Sequence, residues 1–170
     1  MIILYILIVI GSLILFLWQL SNLISIIFGT VYVQSDKKTT SEIIKLFAKK
    51  DNLFCELGSG NGEILKQASD LDMEAIGYEI SPFYFLLSKI KTFTNKKIKV
   101  IFKNVKDAEI KKANLIYCYF LPDLLEKLST KFETEIKKGA VLISKGFEIK
   151  KLKLYKKIKV KEQSFFIYKF

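Results

Sequence analysis

Charge is partitioned along this chain. The first 35 residues carry none, and all 28 lysines and all 17 acids stand between Asp36 and Phe170. Two such segments suit different solvents, so the fold divides near that boundary. Residues Ile2 to Trp18 are nearly all aliphatic, interrupted only by Gly11 and Ser12. As a helix they span roughly 26 Å, and extension to Phe28 gives about 40 Å. A bilayer core of ~30 Å falls between these lengths. The segment therefore predicts one transmembrane helix, with Trp18 as an interfacial aromatic and Gln19, Ser21 and Asn22 at its emergence. A cleaved signal peptide calls for a basic start, a shorter apolar core and a small-residue cleavage site, and the leader supplies none convincingly.

Orientation follows from lysine. None precedes the span, whereas Lys37, Lys38, Lys45, Lys49 and Lys50 follow it closely, which places the body in the cytoplasm by the positive-inside rule. The expected organisation is an anchor over residues 1–28 and one globular domain over residues 29–170. The lipid bilayer is thus the first expected partner.

The body has no histidine, which removes imidazole bases and imidazole metal ligands. Cys55 and Cys118 sit inside apolar runs and read as small buried hydrophobes; two thiols without histidine are too few for a structural zinc site. No metal is expected. The net charge of +11 comes entirely from lysine, since arginine is absent. Arginine is the preferred residue for bidentate phosphate and base-edge contacts, so the charge reads as solubility and steering and argues against a nucleic-acid partner.

From Asp36 onward strand and helix patterns alternate. Thr39 to Ala48 has apolar residues at helical spacing, with Thr39 as its cap. Leu53 to Leu57 reads as a buried strand, Glu63 to Ser69 as a helix and Ala75 to Glu79 as a second strand. Pro82 opens a helix to Thr92. Lys99 to Lys103 and Asn114 to Phe120 are further strands. Pro122 to Lys137 is a helix closed by Gly139. Ala140 to Ser144 is a fifth strand, and Leu152 to Val160 with Ser164 to Phe170 form an antiparallel hairpin. Alternation of this kind predicts an α/β, doubly wound, mostly parallel sheet whose ligands bind at the carboxyl ends of the strands.

The first strand runs into Glu56-Leu57-Gly58-Ser59-Gly60-Asn61-Gly62-Glu63. Alternate glycines let the backbone turn sharply and approach a ligand with no Cβ in the way. The third glycine comes one residue too early for the dinucleotide pattern, and no Gly-Lys-Ser/Thr follows to make a P-loop. The second strand ends in Glu79, placed to accept hydrogen bonds from both hydroxyls of a ribose.

This bend, with an acid at Glu56 before it, resembles motif I of class I S-adenosylmethionine-dependent methyltransferases. The resemblance implies a Rossmann-like sheet and S-adenosylmethionine as cofactor, with Glu56, Gly58, Ser59, Gly60, Asn61, Gly62 and Glu79 in its binding. It also implies that Asn104 and Asp107 lie near the adenine, and that Tyr117 to Asp123 line the methyl-accepting side. The Asp/Asn-Pro-Pro-Tyr/Phe signature of nucleic-acid amine methylation is absent there. The stretch Val31 to Lys38 and the run from Lys137 to Phe147 further resemble a group of small archaeal and mitochondrial protein-lysine methyltransferases, several of which carry a membrane segment. Here the prolines of the first stretch are replaced by Val31 and Gln34, and Lys145 stands where relatives often have histidine.

The resemblance thus implies transfer of a methyl group to a lysine side chain of a protein partner, expected to be membrane-associated. An acceptor amine must arrive neutral, and an aromatic channel lowers its pKa by desolvation. Tyr32, Tyr119 and Phe120 are the candidate channel residues, with Asp123 as a proton acceptor or a helix-start acid. Two other readings fit the same residues: a methyltransferase for a lipid or small amphiphile, and a non-catalytic cofactor-binding module. The lysines between Lys150 and Lys161 read either as a lipid contact or as the wet face of a strand.

Overall fold

The computed structural model describes residues 1–27 and 37–170. The Tyr-Val lead-in, Tyr32 included, and the expected boundary between residues 28 and 29 lie outside them. Among the described residues, five α-helices run over α1 (Ile2–Ile27), α2 (Lys37–Lys45), α3 (Glu63–Asp70), α4 (Pro82–Thr92) and α5 (Pro122–Glu135). Seven strands run over β1 (Leu53–Leu57), β2 (Glu74–Glu79), β3 (Ile98–Phe102), β4 (Leu115–Cys118), β5 (Val141–Lys145), β6 (Lys156–Val160) and β7 (Gln163–Lys169).

They form one sheet in the order β3-β2-β1-β4-β5-β7-β6. The first five strands are parallel, and β7 pairs antiparallel with both β5 and β6. The order reverses between β1 and β4, which opens a crevice at their carboxyl ends.

Two cores cover the two faces, and strand periodicity sorts residues between them. Cys55 and Leu57 of β1 and Ile116 and Cys118 of β4 point to one face, packed with Leu124, Leu125, Leu128 and Phe132 of α5. Phe54, Leu115 and Tyr117 point to the other, packed with Ile43 and Ile44 of α2 and Ile64 and Leu65 of α3. Helix α4 starts at a cap in which the Tyr84 amide donates to Ser81 Oγ (3.3 Å), with Pro82 in its first turn.

Several boundaries shift from the sequence expectation, most by a single residue, and four of the shifts have a clear physical cause. Thr39 is the third residue of α2 and is buried, so it packs rather than caps. Helix α5 stops at Glu135 because Ile136 turns extended (ψ 124°); Gly139 instead makes the left-handed bend into β5. Strand β4 ends at Cys118, which frees Tyr119 and Phe120 from the ladder. Strand β6 begins at Lys156 rather than Leu152. The apolar alternation starts earlier because Leu152 and Leu154 pack on the α5-side core before pairing begins at the Tyr155 amide.

Among the described residues, one helix is long and apolar enough to cross a membrane. It covers Ile2–Ser21, and most of that stretch is exposed. Its carboxyl end is held by α4, where the Phe83 amide donates to Ser21 Oγ at 3.0 Å.

Candidate active site

The crevice is built from the end of β1 outward. The amides of Gly58 and Ser59 both donate to the carbonyl of Tyr78 (2.9 and 3.0 Å), which ties the bend to β2. Gly58 has φ +75°, and a Cβ there would stand 2.9 Å from Phe120 Cε1. Gly62 has φ +76°, and a Cβ there would collide with Ser88 Oγ. An L-residue at either position faces both backbone strain and a clash. Gly58 itself is exposed, so the bend presents bare backbone to the crevice.

Glu79 closes the bend from β2. Its Oε2 accepts from the Gly60 amide (2.7 Å), and its Oε1 accepts from the amides of Ile80 (2.9 Å) and Ser81 (2.8 Å). A carboxylate offers about four acceptor sites, so capacity remains for a ligand hydroxyl. Burial raises the Glu79 pKa, opposed by these three amides. Glu56 is buried deeper. Burial first, and then the charge of Glu79, hold its pKa well above the usual range, while a hydrogen bond from the Leu65 backbone opposes them. Its Oε2 is buried with no hydrogen-bond partner, as is Ser59 Oγ. Unpaired buried polar atoms at the bend leave hydrogen bonds open for a ligand or an ordered water to make.

The remaining expected residues fall around this centre. Asn61 Oδ1 accepts from the Glu63 amide and helps open α3. Asn104 Oδ1 caps a single 3-10 turn over Val105–Asp107 by accepting from the Lys106 amide, and Asp107 is exposed on that turn. The Tyr78 hydroxyl accepts from the Glu109 amide and donates to its carbonyl, holding this loop beside β2. Tyr78 escaped the sequence reading because it looks like one more apolar strand residue. Phe120 lies against the glycine bend, Tyr119 is half-buried beside it, and Asp123 is exposed in the first turn of α5.

Lys145, at the end of β5, is buried at 3 % exposure, with Nζ 5.0 Å from the Tyr119 ring centre and 5.9 Å from that of Phe165. Standing between Ser144 and Gly146, it gave no sign in the sequence that the ammonium would be enclosed. Cys55 and Cys118 are buried, as expected, and burial pushes both thiols up to about 12, which keeps them protonated.

Residues 56–156, which run from the acid of the bend to the first residue of β6, match the ANTKMT methyltransferase domain. The chain belongs to that family. The domain is 19% identical over 119 residues to a lysine N-methyltransferase of Xenopus laevis whose named target is an ATP synthase subunit, covering 68% of this chain and 53% of that one. It is 26% identical over 125 residues to a protein-lysine N-methyltransferase of Saccharolobus islandicus (strain REY15A), covering 70% and 78%. The chain thus spans about half the length of the vertebrate relatives it matches. Among solved structures, an RNA methyltransferase from Salinibacter ruber in complex with S-adenosyl-L-homocysteine shares the fold at TM-score 0.74 and 19% identity, covering 81% of this chain and 93% of that one.

This is a class I methyltransferase domain, and S-adenosylmethionine is the cofactor of its class. The residues present fit that group. The bare bend at Gly58 admits close approach, Glu79 keeps acceptor capacity for a ribose hydroxyl, and the unpaired Glu56 oxygen offers a buried polar contact.

Proposed function

We propose that this chain is a membrane-anchored enzyme that transfers a methyl group from S-adenosylmethionine to the side-chain amine of lysine in a protein. Its anchor is residues 1–28, its catalytic domain residues 29–170, and the domain faces the cytoplasm. The observation that carries the cofactor half is the Glu79 clasp on Gly60 at the sheet's reversal point. Lysine as acceptor is supported by the relatives, each named as a lysine N-methyltransferase.

When bound, S-adenosylmethionine supplies an electrophilic methyl group on a cationic sulfur. The chain has to hold an acceptor amine close and in line, an effect of proximity and orientation. Tyr119 and Phe120 leave the ladder where they can flank that amine, and desolvation between rings favours its neutral form. Asp123, exposed at the start of α5, is the proposed acceptor of the released proton, which it takes or passes to water.

Purified full-length protein with methyl-labelled cofactor and isolated membranes tests this. Label recovered as methyl-lysine after protein hydrolysis supports it. Label in the lipid extract gives the site to an amphiphile, a reading favoured by the contact between Ser21 of α1 and Phe83 of α4 beside the crevice. No cofactor binding by calorimetry reduces the domain to a non-catalytic module.

A further inference from the structure

Helix α4 is amphipathic in the wrong sense. A surface helix ordinarily turns apolar residues to the core and polar ones outward. Here the buried residues are Ser88 and Thr92, whose small side chains let Gly62 and the glycine bend approach closely. The large apolar residues Leu86, Ile90 and Phe93 are 51%, 66% and 88% exposed. Their i, i+4, i+7 spacing places them on one stripe about 10 Å long. Phe102, on the neighbouring edge strand β3, is 52% exposed and packs its ring, tilted, against that of Phe85 with centres 5.3 Å apart.

The same segment carries a one-sided charge. Between Glu79 and Asp107 stand seven lysines and no acid. Lys97 is engaged by Asp72 and Lys103 by Glu109, while Lys89, Lys91, Lys96 and Lys99 are exposed around the stripe. An apolar strip edged by lysines is the composition of a helix that lies in the headgroup layer of an anionic membrane.

Position decides among possible occupants. The apolar stretch Ile2–Ser21 ends at the residue whose hydroxyl accepts from the α4 amide of Phe83. The first turn of α4 therefore sits where the span would leave the bilayer. The other lysine-rich element, β6, lies at the opposite edge of the seven-stranded sheet, roughly 29 Å away at ~4.8 Å per strand, beyond a screening length of ~8 Å.

We infer that the outer face of α4, with Leu86, Ile90, Phe93 and the neighbouring Phe102, is a lipid-contact surface that seats the domain on an anionic bilayer beside the exit of α1. This rests on the anchored reading of α1 above. It gives the β6 lysines to water and holds the crevice, which opens at the amino end of α4, at a set height over the membrane.

Trp18 is the single tryptophan, which allows a clean test. Full-length protein is placed in phosphatidylcholine–phosphatidylserine vesicles whose acyl chains carry bromine near the headgroup end. Wild type reports on α1; a Trp18→Phe, Phe93→Trp protein reports on α4, and position 93 is exposed enough to accept an indole. Quenching of both supports the inference. The indole at position 93 is expected to lose on the order of half its emission, because an interfacial apolar face sits roughly 5–10 Å into the boundary. That loss shrinks in high salt, whereas the loss at Trp18 does not. Quenching at Trp18 alone overturns the α4 contact and leaves the anchor intact. Quenching at neither removes the anchor and the inference with it. An indole at 93 shielded from aqueous acrylamide but untouched by bromine assigns the face to protein, a second copy included, and also overturns it.

Discussion

The amide of Gly60 donates a 2.7 Å hydrogen bond to Oε2 of Glu79, joining the glycine bend to the tip of the adjacent strand. One carboxylate thus shapes the bend and faces the ligand. Glu79→Ala loses both roles, and charge-assisted hydrogen bonds of about 1.5–3 kcal/mol correspond to a roughly 10- to 100-fold weaker affinity for S-adenosylmethionine. Glu79→Gln falls between, since an amide keeps one acceptor. Titration calorimetry reads the difference, and an unchanged Kd for the alanine variant would sink the cofactor assignment.

Gly58→Ala places a methyl group in left-handed backbone 2.9 Å from the Phe120 ring. The conformational component alone is about 1–2 kcal/mol. Adding Phe120→Leu is expected to relieve the steric component and restore part of the thermal stability. A double variant no more stable than Gly58→Ala alone would show that the ring is not the obstacle.

Burial holds the Glu56 pKa well above the 4.5 of a free glutamate. Between 4.5 and that raised value the folded chain keeps a proton that the unfolded chain has released, so its contribution to stability falls as pH rises through the window. Glu79 shifts the same way. Glu56→Gln removes the titration. Without cofactor, its Tm at about pH 8 is expected to exceed wild type by about 2–4 °C for each kcal/mol of avoided ionisation, and the gap narrows toward about pH 5. Scanning calorimetry across pH measures it; a gap independent of pH contradicts the argument.

Tyr119 is expected to act through its ring. Tyr119→Phe keeps the face over which Lys145 lies, whereas Tyr119→Ala opens the space beside Gly146 that the ring now fills. Methyl transfer to a lysine peptide should fall at least about tenfold in kcat/KM for the alanine variant, consistent with an aromatic contact beyond area burial worth roughly 1 kcal/mol plus lost packing. The phenylalanine variant should stay near wild type. Equal losses in both would assign the role to the hydroxyl.

The elements of the sheet were legible because their signals are local. Leu53 to Leu57 is apolar and short, the glycines follow at once, and Pro82 and Pro122 open helices at the expected residues. Boundaries failed where burial continued past the ladder, as at Leu152 and Leu154, or where a turn used the glycine assigned to a helix end, as at Gly139. The site was half legible. Glu79 and the glycines could be named from spacing, but not the three amides that grip the carboxylate.

Pattern along the chain determined the family, the cofactor class and the apolar leader, because side-chain polarity and glycine freedom act over a few residues. Tertiary structure decided the rest. It put Gly60 on Glu79, enclosed Lys145 between Tyr119 and Phe165, bound Ser21 to the start of α4, and left that helix's apolar stripe facing outward. Each of these joins residues far apart along the chain, and such pairs are set by strand order and by the fit of small residues such as Ser88 against Gly62.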